Sequence, residues 1–579
     1  MFWDLKLTSY LLLVFLAFSK VGNAKEFQTI LIGGGLNVCS SVQPENCLTP
    51  LSTNETHHTQ HSYILSAENI KTLTALYKAD AALHNLEMDI FISNLNKYPL
   101  QKTMSYPEKE LARVFRNTGV GESTDLKDIQ WQMILDVFQD TVINRRFLQR
   151  DQYKNAKVDV FNSKNLFVAK AFRQFIDNVD GDNILIVTAA NRDAFEDVYW
   201  LIKTFEQFDV DVKWLPLDAA LNAIWKENGI NDEDKLKQAC SSLNAVRHKV
   251  SKRYFRDRIY GDLNEQLLDV CNSPEDLVEL IDDANGIYFH DGDPEVLLNS
   301  FMFSDIEANP AWLTIMKRHQ QNKLTLAFNG GSIRAISGNE GRNAFVVKGR
   351  SEDVLMSGYQ ILSDVSNIGS VHIQNSPILS LTGLNLFSGI SFDNSFGDSS
   401  NQGRLLSLLA MIRVPFGIGI DERTVLSIAN NKGHLKFSVS GEAGVTFLDN
   451  TASKISALSP AKFDQFQMSY LTQDDVAELK DNKLIFDFGN WKYSSNRFSQ
   501  PVVQSGSVFR PEGFSKTMYM LCTTGAQKAV LKHIELGKGH IMTVEKLSHS
   551  ASVSGSRNVN GKNYGYCSYR GYNLSVVPN

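Results

Sequence analysis

Apolar positions follow two rhythms along this chain. Short unbroken runs at Phe27 to Ile32, Asn183 to Ala190, Val210 to Leu215, Ile287 to His290 and Leu324 to Phe328 have the length and composition of buried strands. Between them apolar residues recur at intervals of three and four. Phe195, Val198, Ile202 and Phe205 share one helix face in this way. Strand, helix and strand in succession make βαβ units, so the pattern predicts an α/β fold: a mostly parallel sheet flanked by helices. A further helix is expected after Ser273, with Pro274 at its first position and Glu275 and Asp276 in its first turn. Leu277, Leu280, Ile281 and Ala284 form its apolar stripe, and Gly286 is its expected stop.

The α/β domain is expected over 25–450, interrupted by a polar, helical insertion at about 37–182 in which Leu83, Leu86 and Ile90 stand at helical spacing. Residues 451–579 carry brief apolar segments among Gly, Ser and Asn, as in Lys483 to Phe488, and read as a β-rich C-terminal extension.

Composition narrows the function. With 58 Lys and Arg against 64 Asp and Glu, the chain lacks the positive balance of a nucleic-acid binder. The basic run His248 to Arg253 reads as a solvated helix face. Lys6, the apolar segment Tyr10 to Phe18 and small residues at Gly22 and Ala24 form an export signal, 1–24, cut after Ala24. No later stretch is long and apolar enough to span a membrane, so a periplasmic or extracellular protein is expected. The six cysteines then suggest disulfides. Chain order favours 39–47, 240–271 and 522–567, with other pairings open. No zinc-ligand spacing appears, and the nearest metal candidate, His57 with His61, lies in a polar loop. The glycines at 33–35 are not a dinucleotide fingerprint. Neither a metal nor a cofactor is expected.

The stretch with most chemical content is Leu324 to Ser337, LTLAFNGGSIRAIS. An apolar strand breaks at Asn329-Gly330-Gly331, and Ser332 follows at a helix start. This is the plan of a nucleophile elbow, with an exposed hydroxyl beside backbone donors that could hold an oxyanion. Strand ends near Ala190, Asp291 and Asn329 would open on the same sheet edge, where α/β sheets bind ligands.

The order of motifs resembles cyanophycinase and the related aspartyl dipeptidases, serine peptidases of α/β fold with a class I glutamine amidotransferase-like sheet. The likeness is carried by Gly33 to Gly35, ILIVTAAN at 184–191, GIYFHDGDPEVLL at 286–298, FNGGSIRA at 328–335 and the block 383–422. That block closes on Gly403-Arg404-Leu405 and Gly417-Ile418-Gly419-Ile420-Asp421-Glu422. The resemblance implies Ser332 as nucleophile and Glu422 as the acid of a triad. The family's histidine, in Asp-Gln-His-Phe, falls on Ser395 of Asp393-Asn394-Ser395-Phe396. A serine cannot serve as general base near neutral pH, so His290, or His372 between the two blocks, is the available substitute. The implied substrate pocket keeps Asp393, Arg404 and Asp293, has Asn394 where the family has glutamine, and places Arg334 beside the nucleophile. Ser399 and Asn401 replace two arginines, and Pro294 replaces a glutamine. The resemblance implies a peptide-like substrate or ligand, cut as a peptide or isopeptide bond. The alternative is an inactive relative that binds such a ligand in the same cleft.

Overall fold

The computed structural model describes residues 26–579 except 42, 52–61, 101–102, 140–156, 340–343, 362–377, 380–381, 495–501, 536 and 560–561. The export signal, the histidines at 57, 58 and 61, and His372 lie outside the described residues.

Strands Thr29–Ile32, Thr325–Asn329, Gly286–Phe289, Asn183–Val187 and Asp211–Trp214 pair in that spatial order and run parallel. The first three are buried at every position, which is why they read as continuous apolar runs. Alternation along the strand sends Tyr288 to one face, among Phe172, Phe175 and Phe205 of helices Phe167–Ile176 and Val198–Glu206. It sends Phe289 to the other, stacked on Phe328 at 4.3 Å and against Phe301 and Trp312 of helices Pro294–Phe301 and Pro310–Gln320. Antiparallel strands Thr424–Asn431, His434–Gly441, Val476–Lys480 and Lys483–Asp487 extend the sheet beyond Thr29–Ile32 to nine strands. The protein is therefore α/β, with a large mixed sheet flanked by helices.

A second sheet of ten strands begins with Ile390–Asn394 parallel to Phe416–Ile420. It continues through Gly444–Asp449 and Ala461–Thr472 to the long hairpin Lys538–Val559 and Lys562–Pro578. The C-terminal part is β-rich. Strands that precede residue 451 belong to this sheet, and two that follow it edge the first.

Three disulfides join Cys39 to Cys47, Cys240 to Cys271 and Cys522 to Cys567, the pairing that chain order favoured. They fit a protein of an oxidising compartment. No helix among the described residues is long and apolar enough to cross a membrane.

Within the insertion, helices Ala67–Ala79, Leu86–Asn96, Glu108–Asn117 and Asp128–Phe138 enclose a core of their own. Its stripe differs from the expected one. Asn85 caps the second helix by accepting from Met88 N at 2.8 Å, so Met88, Phe91, Ile92 and Leu95 point inward. Leu86 and Ile90 face solvent, at 69% and 51% exposure. Gly286 does not stop the preceding helix, which ends at Asp283, but opens the next strand. A Cβ there would lie 2.8 Å from Val179 and 3.0 Å from Phe175. The basic run is not a solvated face either: Lys252 pairs with Asp80, and the buried Arg253 with Asp136, both in the insertion.

Candidate functional site

Strands Thr29–Ile32 and Thr325–Asn329 end side by side, Ile32 opposite Asn329, and each runs into glycines. Gly34 and Gly35 have φ of 111° and 77°, backbone that glycine takes without strain. A Cβ on Gly34 would lie 3.4 Å from Ser395 Oγ and 3.8 Å from both Glu422 Cγ and Gly330 Cα. Four segments distant in sequence thus close on one point. Ser395 reaches it from the end of strand Ile390–Asn394, and Glu422 from just beyond its parallel neighbour Phe416–Ile420.

The turn after Asn329 tightens into a short 3₁₀ helix, Gly330–Ile336. Asp291 fastens it, with Oδ1 accepting from Gly292 N and Gly331 N at 2.7 Å each. A Cβ on Gly331 would come within 1.9 Å of Gly292 O, so these two turns touch backbone to backbone. Ser332 follows inside that contact. It is fully buried, and its hydroxyl donates to the His290 carbonyl. The expectation of an exposed hydroxyl at the tip of the turn is corrected: the tight winding points residue 332 at the neighbouring strand end.

His290 does not turn its imidazole toward Ser332. Its backbone carbonyl meets Ser332, while its ring lies on the Tyr288 side of the sheet, with Nε2 3.3 Å from Asp197 Oδ2 and the ring edge-on to Trp200. Strand alternation explains this, because residues 288 and 290 share a face.

The residues expected to bind substrate are engaged within the fold. Asp393 is fully buried and held by Arg404, Nε to Oδ2 at 2.9 Å and Nη2 to Oδ1 at 2.6 Å. Burial would lower the proton affinity of the Arg404 guanidinium, but Asp393 more than offsets this and raises it. Arg334 donates to Val347 O at 3.1 Å, and burial together with nearby Arg404 lowers its pKa. Asp293 caps helix Pro294–Phe301 by accepting from Glu295 N at 2.8 Å. Asn394 alone turns toward the meeting point, its Nδ2 donating to Ser395 Oγ at 3.2 Å.

Glu422 is half-buried and stands beside Ser395 across Gly34. Burial and the neighbouring Asp398 raise its pKa above the ordinary carboxylate value, partly opposed by Arg423. Asp398 also accepts from Glu422 N at 2.8 Å and so fixes that backbone. Next to it Asp421 is buried beside Asp398 and is pushed up to about 7. Asp421 and Asp398 line a cavity of about 610 Å³ walled by Tyr470, Tyr566 and Tyr569. On the other side a smaller cavity of about 150 Å³ lies against Ala190, Asn191, Gly292 and Asp293.

Sequence reading missed Asp291 and Asp398. Each is an acid beside a glycine in a polar stretch, a signal too common to single out. Among the described residues no group of three His, Cys, Asp or Glu is placed to hold a metal. The arrangement offers a hydroxyl close to a carboxylate, which is the equipment for proton transfer to or from an oxygen. Compared with models of known protein families, the chain matches none.

Proposed function

We propose that this chain is an exported, cyanophycinase-like serine hydrolase that cuts peptide or isopeptide bonds in an altered site. One observation carries the reading. Gly34, Gly330, Ser395 and Glu422 converge within a few ångströms, so the glycine turn, the neighbourhood of Ser332, the position of the family's histidine and the triad acid meet as a hydrolytic site of that kind requires. Three disulfides suit an exported enzyme. A peptide-like substrate follows from the resemblance. The internal pairing of Asp393 with Arg404 argues against recognition through those two side chains.

A second reading is favoured by the burial of Ser332: a relative that binds a peptide in the cleft without cutting it. Reaction of the purified protein with a fluorophosphonate probe separates the two. Covalent labelling at a serine supports the hydrolase. A protein that stays unlabelled yet binds a peptide in calorimetry supports the binder.

A further inference from the structure

We propose that Ser395, and not Ser332, is the nucleophilic hydroxyl of this site, with Glu422 as its general base. The assignment rests on the hydrolase reading above and fixes which serine performs it.

Two serines stand near the meeting point, and their surroundings differ. Ser332 has no solvent exposure, and its proton is committed to the His290 carbonyl. Ser395 is half-buried, and its hydroxyl and the Glu422 side chain both flank Gly34, 3.4 Å and 3.8 Å from where a Cβ there would stand. The Gly33 carbonyl accepts from it at 3.4 Å. Asn394 Nδ2 approaches the same oxygen from the side at 3.2 Å.

The backbone supports the assignment. Ser395 has φ of 44°, left-handed for a residue that is not glycine, in a turn between strand Ile390–Asn394 and helix Gln402–Ile412. Such a conformation costs energy and persists where its surroundings hold it. Here Ser395 N donates to Gly33 O at 3.2 Å, while its carbonyl accepts from Ser399 N at 2.9 Å and from Asn401 Nδ2 at 3.4 Å. A side chain at Gly34 would begin in contact with this hydroxyl, since a Cβ there would stand 3.4 Å from Oγ.

Replacing the histidine also acquires a chemical sense. In a triad of the family's kind an imidazole bridges the nucleophile and the acid. With serine at 395 the acid stands beside a hydroxyl and can itself take the proton. Burial and Asp398 raise the proton affinity of Glu422, which makes it a stronger base than an ordinary carboxylate. In the reaction Ser395 Oγ bonds to the acyl carbon of the substrate amide as its proton passes to Glu422, and the C=O π pair moves onto the carbonyl oxygen. Collapse of that adduct breaks the C–N bond, and the proton on Glu422 leaves with the amine. Water, deprotonated by the same carboxylate, then hydrolyses the acyl-serine. The Asn394 amide, which donates to Ser395 Oγ at 3.2 Å, is the nearby side-chain donor that could turn to the oxyanion formed in each half.

The test is fluorophosphonate labelling of the full-length secreted protein, with peptide mapping of the adduct and its rate followed against pH. The adduct is expected on the peptide containing residue 395, and it should be absent from both Ser395→Ala and Ser395→Gly. The glycine variant suits the positive φ and guards against a folding defect. Labelling should accelerate as Glu422 loses its proton. Glu422→Gln should slow it by roughly 100-fold and flatten that pH profile. An adduct that maps to Ser332 or elsewhere and survives both substitutions at 395 overturns the assignment while leaving a serine hydrolase in place. A wild-type protein that takes no label under any condition overturns the hydrolase reading itself.

Discussion

Arg404 grips the fully buried Asp393 at two points, 2.9 and 2.6 Å, and is itself only 13% exposed. A third contact, Nη1 to Gly349 O at 3.2 Å, ties the guanidinium to the segment leading into helix Ser351–Ser357. Removing one member of a buried pair leaves the other charged and unsolvated. Arg404→Ala should therefore destabilise the fold by about 3–5 kcal/mol in urea titration. Arg404→Lys should recover only part of this, because an ammonium cannot reproduce the two-point geometry. If Arg404 instead served a substrate carboxylate, Arg404→Ala would raise KM and leave the urea midpoint nearly unchanged.

His290 is a structural residue by its contacts, and this too is open to measurement. Its ring bridges Asp197 and Trp200 on the far face from Ser332. His290→Gln should cost about 1 kcal/mol, the value of one side-chain hydrogen bond. It should also leave the rate of fluorophosphonate labelling within about twofold of the wild type. A fall of two orders of magnitude, the usual size of a lost general base, would restore His290 to the chemistry.

Asp421 makes the stability depend on pH in a particular direction. Its carboxyl accepts from Gly397 N at 2.7 Å and from Tyr470 OH at 2.7 Å, yet burial and the adjacent Asp398 push it from 3.8 up to about 7. A carboxyl whose folded pKa is raised binds its proton more tightly in the folded state. Its contribution is whole below the unfolded value and is lost as pH rises through the folded one. The wild type should thus lose stability relative to Asp421→Asn between about pH 4 and pH 7, at a slope of at most about 1.4 kcal/mol per pH unit. The asparagine keeps an oxygen for Gly397 N and offers an N–H to the Tyr470 oxygen. Urea midpoints of both proteins across that range give the slope directly, and parallel curves would refute the assignment.

The parallel strands were legible because both their faces are buried, so apolar character runs unbroken along them. The disulfides followed chain order because each closes a local loop. The long hairpin Lys538–Val559 with Lys562–Pro578 was not legible: its polar, half-exposed positions, Gly555 and Gly565 among them, resemble loop. The site divides the same way. Glycines at 33–35 and 330–331 announced two turns at the sheet edge, but not which way Ser332 faces. That direction is set by Asp291, which reaches across from another turn. The approach of Ser395 to Glu422 was equally hidden, since it depends on two strands of the second sheet lying parallel and in register.

The insertion is clasped to the sheet by buried charges, among them Arg253 of the run that sequence reading assigned to a solvated face. Arg253 Nη2 lies 3.0 Å from Asp136 and 2.8 Å from Asp193, and Arg256 joins the same two acids. Asp136 stands on helix Asp128–Phe138 of the insertion and Asp193 follows strand Asn183–Val187, so two arginines bind the two bodies through one buried cluster. Asp136 also accepts from Tyr254 N at 3.1 Å. Asp136→Ala strips two buried guanidinium groups of a shared partner and should cost about 3–5 kcal/mol. The pair of Lys252 with Asp80 at the rim is more exposed, at 17% and 22%, and Lys252→Ala should cost no more than about 1 kcal/mol. Because the insertion has a core of its own, losing the clasp should free it before the sheet melts. Limited proteolysis of Asp136→Ala is expected to cut at the insertion's junctions under conditions where the wild type and Lys252→Ala stay intact. Equal resistance of all three proteins would show that apolar contacts alone hold the insertion in place.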